Sequence, residues 1–403
     1  MATDSKSAVP SMEELVKRAT DMIPMLREQA ASVEENRSVP KATIEAFRKA
    51  GFFKILQPPR WGGYGMGPEV LYRVLMELGR GCPSSAWTVS ILGIHQWEFG
   101  KFNPQVGEDL WGKDQDIMVS SSYAPTGKVR RVEGGWMLSG RWPTSSGCEY
   151  AFGGAILGAR IFDDQNEFVD TYCFFVNYQD YELIDDWNVI GLCGTASKSL
   201  AIKGEAFVPD YRTHSFSKYA LNDSKEWTFQ MPFLNVFSGV IAATIVGMAQ
   251  GMVDLFIEHT KPKQNQFAMG PGPAQNPFVQ EKLGNAVLLI RSARARLLQC
   301  TQEMAAYAQR RELVPLESRL QYFLDVQSAG KDCFAAGHML FKKSGARGIF
   351  LNQPLQRQLR SLLASANHIT QNEDDNSAIV GAYLLGQPIP PGLFGPAKEW
   401  TPA

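Results

Sequence analysis

The chain has 403 residues, 44% of them hydrophobic, and its 40 basic and 41 acidic side chains leave a formal net charge of −1. That balance excludes the basic footprint of a dedicated nucleic-acid binder. The apolar content is too high for disorder over most of the length, and at roughly 150 residues per domain the chain has room for two or three domains.

Residues 1–115 read as a helical domain. Ser11 with Glu14 fits a capping box, and Leu15, Met22, Leu26, Ala30 and Val33 follow on one face. Pro24 interrupts that helix. A second helix over Lys41 to Ala50 ends at Gly51, the position that favours a left-handed cap. Pro58 to Gly65 is a rigid loop, and further helices are predicted over 68–80 and 84–100. The N-terminus carries no apolar signal segment, which makes the cytoplasm the expected location.

Residues 116–230 change to strand signals. Val129 to Gly140 reads as a hairpin turning at Gly134-Gly135, followed by short runs at Tyr172–Val176, Glu182–Ile184 and Ser199–Ile202. Short strands at this spacing predict a small barrel or sandwich. From 231 to 403 the pattern returns to long helices, at 236–260, 277–311, 316–346 and 354–367, which read as an antiparallel four-helix bundle with a Pro-rich tail. Val240 to Ile257 is apolar but broken by Thr244, Gln250, Gly251 and Asp254, so it reads as a buried helix and no membrane span is expected. The fold class is α+β.

Several chemistries lack their motifs. No Gly-rich dinucleotide loop, phosphate-binding loop or nucleophile elbow is present. The six cysteines are scattered without a C-x-x-C pair. With five histidines, and with no Glu-x-x-His on the bundle helices, no metal site is expected. His95 and Glu98 lie three apart in the reverse order, a pair that chance often supplies.

Five segments carry a more specific signal. They are Gln57-Pro58 with Trp61-Gly62-Gly63-Tyr64-Gly65; Ile91 to Trp97; Ser120 to Pro125; Ser145-Ser146-Gly147-Cys148; and Gly191 to Ser197. In this order the chain resembles the oxygenase components of two-component flavin-dependent aromatic hydroxylases, from about residue 12 to the C-terminus. The resemblance implies the acyl-CoA dehydrogenase-like arrangement of helical domain, β-domain and four-helix bundle. The dehydrogenases' Tyr-Glu-Gly-Thr segment is absent, and Ala366 to Gln371, with His368, stands in its place.

By itself His95, among Ile91, Leu92 and Ile94, reads as a core histidine; the resemblance makes it the base for a phenol, with Ser121 as companion donor. Ser145 and Ser146 are turn residues or, by resemblance, flavin contacts, with Ser146 beside N5. His368 is a helix-terminal cation or the group that steadies the flavin C4a-hydroperoxide. Trp87 is a core tryptophan or a flavin neighbour, and Thr195 and Ser197 are turn hydroxyls or flavin contacts. Arg347 is a solvated loop residue or a contact to a neighbouring subunit's flavin. Lys263 falls where the hydroxylases hold flavin with arginines. Cys193, Pro143-Thr144 and Ser361-Leu362-Leu363 also depart from the family pattern.

The resemblance therefore implies a monooxygenase that receives reduced FMN or FAD from a separate NAD(P)H-dependent flavin reductase, uses O2, and hydroxylates a small aromatic substrate as a homotetramer. The alternatives are a flavin oxidase, dehydrogenase or N/S-oxygenase on the same fold, or a redox-silent binding or cyclisation relative.

Overall fold

The computed structural model describes residues 9–262 and 272–398. Six helices come first: α1 (Met12–Asp21), α2 (Ile23–Glu35), α3 (Lys41–Lys49), α4 (Pro68–Gly81), α5 (Pro83–Glu98) and α6 (Gln105–Trp111). Ser11 caps α1, its hydroxyl accepting from the Glu14 N–H at 3.2 Å. The predicted interruption at Pro24 divides α1 from α2 at Met22. Gly51 follows α3 at φ 84°, as its position predicts.

Every residue of α5 is buried, so it is a central helix with no solvent face. It carries Trp87, His95 and Glu98, spaced along one buried helix.

The middle of the chain forms seven strands: β1 (Val119–Val132), β2 (Gly135–Ser145), β3 (Gly154–Phe162), β4 (Phe168–Val176), β5 (Glu182–Ile184), β6 (Lys198–Pro209) and β7 (Thr213–Ser215). They lie in the order β5-β6-β2-β1-β3-β4-β7. β1 runs parallel to β3 up to Gly127 and then pairs antiparallel with β2 from Lys128. The sheet therefore folds about β1, and Trp136, Leu138, Leu157, Phe174 and Leu200 from its two halves share one core. Since β5 and β7 are free edges, the result is an open, sandwich-like sheet and not a closed barrel. The hairpin turns one residue earlier than predicted. Val132 faces Gly135, and Gly134 takes φ 73° within the turn.

The C-terminal part comprises α7 (Phe233–Thr260), α8 (Pro277–Gln309), α9 (Leu316–Phe341), α10 (Pro354–Ala366) and α11 (Glu373–Leu384). The first four pack on one another as the expected bundle, and α4 packs along α7. A Cβ on Gly79 would come within 2.9 Å of the Gly247 backbone, so glycine sets this close approach. α7 is long and apolar enough to span a membrane, but 78% of its most apolar stretch is buried inside the protein. It is a core helix. The sequence did not predict α11, and the tail beyond it folds back along the chain, where Ala397 N–H donates to Val169 O at 2.8 Å.

Candidate active site

The functional side chains gather at two stations on α5. At its C-terminal end His95 is fully buried, with Nδ1 2.8 Å from Glu98 Oε2. Tyr123 of β1 also donates to Glu98 Oε2, and His214 Nε2 of β7 lies 2.9 Å from Oε1. Burial alone would raise the Glu98 carboxyl, yet hydrogen bonds from His214 and His95 outweigh it and hold the group at about 2. The carboxylate is thus ionised, and His95 donates to it through Nδ1–H. In the neutral ring the other nitrogen, Nε2, carries the lone pair, and this buried atom has no partner among the described residues. Phe237 of α7, 6.1 Å from the His95 ring and 5.1 Å from Tyr123, supplies an apolar aromatic wall beside it. Ser121 is buried two residues before Tyr123 on β1.

Eight residues earlier, and so about 12 Å back along the helix, stands Trp87. Its indole N–H donates to Ser146 Oγ at 3.1 Å. Ser146 is 2.7 Å from Ser197 Oγ, Ser197 is 2.7 Å from Thr195 Oγ1, and Thr195 donates to Leu192 O at 2.9 Å. A carbonyl only accepts, so the whole chain has one direction. Ser197 donates to Thr195, Ser146 donates to Ser197, and Trp87 donates to Ser146. Every hydroxyl proton is committed, which leaves Ser146 Oγ a free lone pair and makes this station an acceptor.

His368 completes the second station, its ring 5.6 Å from Trp87 and edge-on to it. Nδ1 accepts from the Thr370 N–H at 3.3 Å, so the ring proton sits on Nε2. Burial lowers the imidazole to about 4. His368 is therefore a neutral N–H donor and not a helix-terminal cation.

The loop bearing Thr195 and Ser197 is strained and clamped. Leu192 and Ala196 both take left-handed φ, 56° and 45°. Gly194 N–H donates to Ser84 Oγ at 3.2 Å, and Leu192 N–H donates to Ser361 Oγ at 3.4 Å. Of the residues that depart from the family pattern, Ser361 thus anchors this loop, Leu362 is fully buried, and Cys193 points to Val189 O.

The structure brings Trp87, Ser146, Thr195, Ser197 and His368 together, and places His95 and Ser121 at the other station. Ser145 is turned away to Ser120 Oγ at 3.0 Å. Arg347 lies on an exposed turn, Ala346–Ile349. Lys263 lies outside the described residues. Sequence reasoning missed three members of the His95 cluster. Glu98 was visible as a helical i,i+3 partner of His95, whereas His214 and the role of Tyr123 depend on pairings across the fold. Glu98, His214 and Cys173 are also the one group among the described residues close enough to hold a metal ion. Both Glu98 oxygens are already engaged, however, and burial keeps the Cys173 thiol protonated.

The residues fit a reduced flavin. Their donor set is neutral, and the committed hydroxyls would offer an acceptor to an N–H of the reduced ring. An aromatic indole and a neutral imidazole stand beside them.

Comparison with known proteins shows the family. The N-terminal domain model of acyl-CoA dehydrogenases matches residues 13–101, and the C-terminal domain model matches residues 239–373. The chain is 33% identical to the flavin-dependent monooxygenase oxygenase subunit HsaA of Rhodococcus jostii, over 93% of this chain and 99% of that protein. It is 30% identical to the FADH2-dependent resorcinol hydroxylase oxygenase component of a Rhizobium species, over 92% and 94%. The crystal structure of 3-HSA hydroxylase from Rhodococcus sp. RHA1 superposes with a TM-score of 0.87 at 33% identity, covering 94% of this chain and 98% of that one. Fold and site together define a flavoenzyme on the acyl-CoA dehydrogenase scaffold. The chain belongs to the family of flavin-dependent monooxygenase oxygenase components.

Proposed function

We propose that this oxygenase component hydroxylates a small phenolic ring, with His95 as the base. The observation that carries the reading is the buried, unpartnered Nε2 of His95, left open because Nδ1 is the nitrogen that meets Glu98. A phenol placed against Tyr123 and Phe237 would give its proton to Nε2. The O–H bond breaks, an N–H bond forms, and the electron pair stays on the phenolate oxygen, which enriches the ring for oxygen attack. Ser121 would hydrogen-bond that oxygen. Trp87, Ser146, Thr195 and Ser197 would hold the flavin ring, which when bound and reduced supplies the electrons that activate O2. His368 would donate its Nε2–H to the reacting oxygen, and the buried setting keeps water out.

A separate NAD(P)H-dependent reductase would supply reduced FAD or FMN. The names of the relatives as oxygenase subunits or components, one of them FADH2-dependent, support this part. The homotetramer and the cytoplasmic location belong to the same reading. Beside the exposed Arg347, Ile349, Phe350 and Leu351 are 65%, 60% and 77% exposed, an apolar strip that suits a subunit contact bringing Arg347 to a neighbour's flavin.

The test supplies the protein with chemically reduced FAD or FMN, ¹⁸O₂ and a panel of phenols. One labelled oxygen on a ring carbon is expected. Label on sulfur or nitrogen instead would move the assignment to a heteroatom oxygenase, and no labelled product with either flavin would remove the function.

A further inference from the structure

His95 is backed by a buried carboxylate, Glu98, that is itself held on both oxygens. Glu98 is wholly buried, and an ionised group there is costly unless each lone pair is met. Oε2 receives His95 Nδ1 at 2.8 Å and the Tyr123 hydroxyl, while Oε1 faces His214 Nε2 at 2.9 Å. His214 Nδ1 lies 2.8 Å from Ser215 O, a carbonyl that can only accept, so Nδ1 carries a proton. The remaining contact, between His214 Nε2 and Glu98 Oε1, then holds one further proton.

The groups facing this carboxylate come from four elements: His95 of α5, Tyr123 of β1, Cys173 of β4 and His214 of β7. Phe102 and Phe233 seal it, with rings 4.5 and 5.4 Å from His214.

We infer that Glu98 is a positioning residue for proton abstraction, held by His214 and Tyr123 so that His95 keeps its proton on Nδ1 and presents Nε2 bare to the substrate hydroxyl. The inference rests on the reading of His95 as the base. When Nε2 takes the phenol proton, the new imidazolium lies 2.8 Å from a carboxylate already in place. A glutamine at 98 offers an amide that can donate to Nδ1 and so force the opposite tautomer, with the proton on Nε2, where it blocks the base. His214 does not meet the substrate in this arrangement, and the Tyr123 hydroxyl is spent on Glu98 while its ring faces the phenol; both hold the carboxylate ionised and aimed.

The experiment uses the full chain with reduced FAD under anaerobic conditions. It is titrated with 4-nitrophenol at a pH below that phenol's own ionisation, and the phenolate absorbance is read. The wild type is expected to bind the probe as phenolate. Glu98→Gln should cut the bound phenolate-to-phenol ratio by roughly tenfold or more and ring oxygenation by roughly 10²-fold, with the Kd for reduced flavin unchanged. Tyr123→Phe, which removes one donor and little volume, should shift the same ratio in the same direction by less, and it serves if Glu98→Gln does not fold. Phenolate bound equally by wild type and both variants overturns the role of Glu98 and leaves the function intact. A wild type that neither ionises the probe nor oxygenates a ring takes down the base and this inference together. Stoichiometric metal in the wild type, lost in Glu98→Gln, would reassign the cluster as a metal site and overturn the inference.

Discussion

The two stations on α5 solve opposite electrostatic problems. Around His95 a charge is kept indoors, with Glu98 ionised and met by Tyr123, His95 and His214. Around Trp87 no charge is kept at all; the partners are an indole, three hydroxyls and an imidazole that burial holds neutral. The first arrangement suits moving a proton, and the second suits holding an uncharged ring and feeding it single hydrogen bonds. With the proposed roles, one helix would separate acid–base work from flavin handling by about 12 Å.

Removing the base should test that separation most severely. His95→Ala is expected to lower ring hydroxylation by roughly 10²–10⁴-fold while reduced-flavin affinity, read by anaerobic fluorescence titration, stays put. A parallel loss of flavin binding would mean that the stations are one site. At the other station, His368→Ala removes a single neutral donor, so peroxide released per O2 consumed should rise roughly tenfold. Unchanged coupling would remove the role given to His368. Ser146→Ala interrupts the hydroxyl chain and should weaken reduced-flavin binding by about fivefold, equivalent to about 1 kcal/mol, without altering the ionisation of a bound phenol.

The smallest effect is on stability against pH, and it distinguishes the stations by window. His368 titrates near 4 in the folded chain against an ordinary 6.5, so unfolded chains bind more protons between those values. Stability from this group is complete above 6.5 and is lost as the pH falls toward 4. Glu98, at about 2 against an ordinary 4.5, contributes stability that is complete above 4.5 and is lost as the pH falls toward 2. Melting curves of His368→Ala should flatten in the upper window and keep the lower one. Flattening in both would couple the two stations.

What the sequence discloses follows the range of the interactions. Ser11, Pro24 and Gly51 act on backbone within a turn of themselves, and the helix ends they predict are found. The alternation along β1 and β2 is local too, although the turn sits at 133–134, where Val132 pairs with Gly135. The Ser-Ser-Gly and Gly-Leu-Cys-Gly-Thr-Ala-Ser segments were legible through family resemblance, but the direction of the proton chain that joins them was not. Ser145 and Ser146 are indistinguishable as letters, yet strand geometry sends one to Ser120 and the other to Trp87. His214 carried no signal, since its partner lies 116 positions away.

That distance has a consequence for how the protein acquires its activity. A folding chain can dry out the end of α5 only when β7 arrives, because until then Glu98 would be a buried anion short of a partner. Long-range pairing of this kind is slow relative to helix formation. Dehydration of the pocket is therefore expected to coincide with docking of that strand. An intermediate with all its helices formed would still be wet at His95, and regain of aromatic hydroxylation would trail regain of helical circular dichroism.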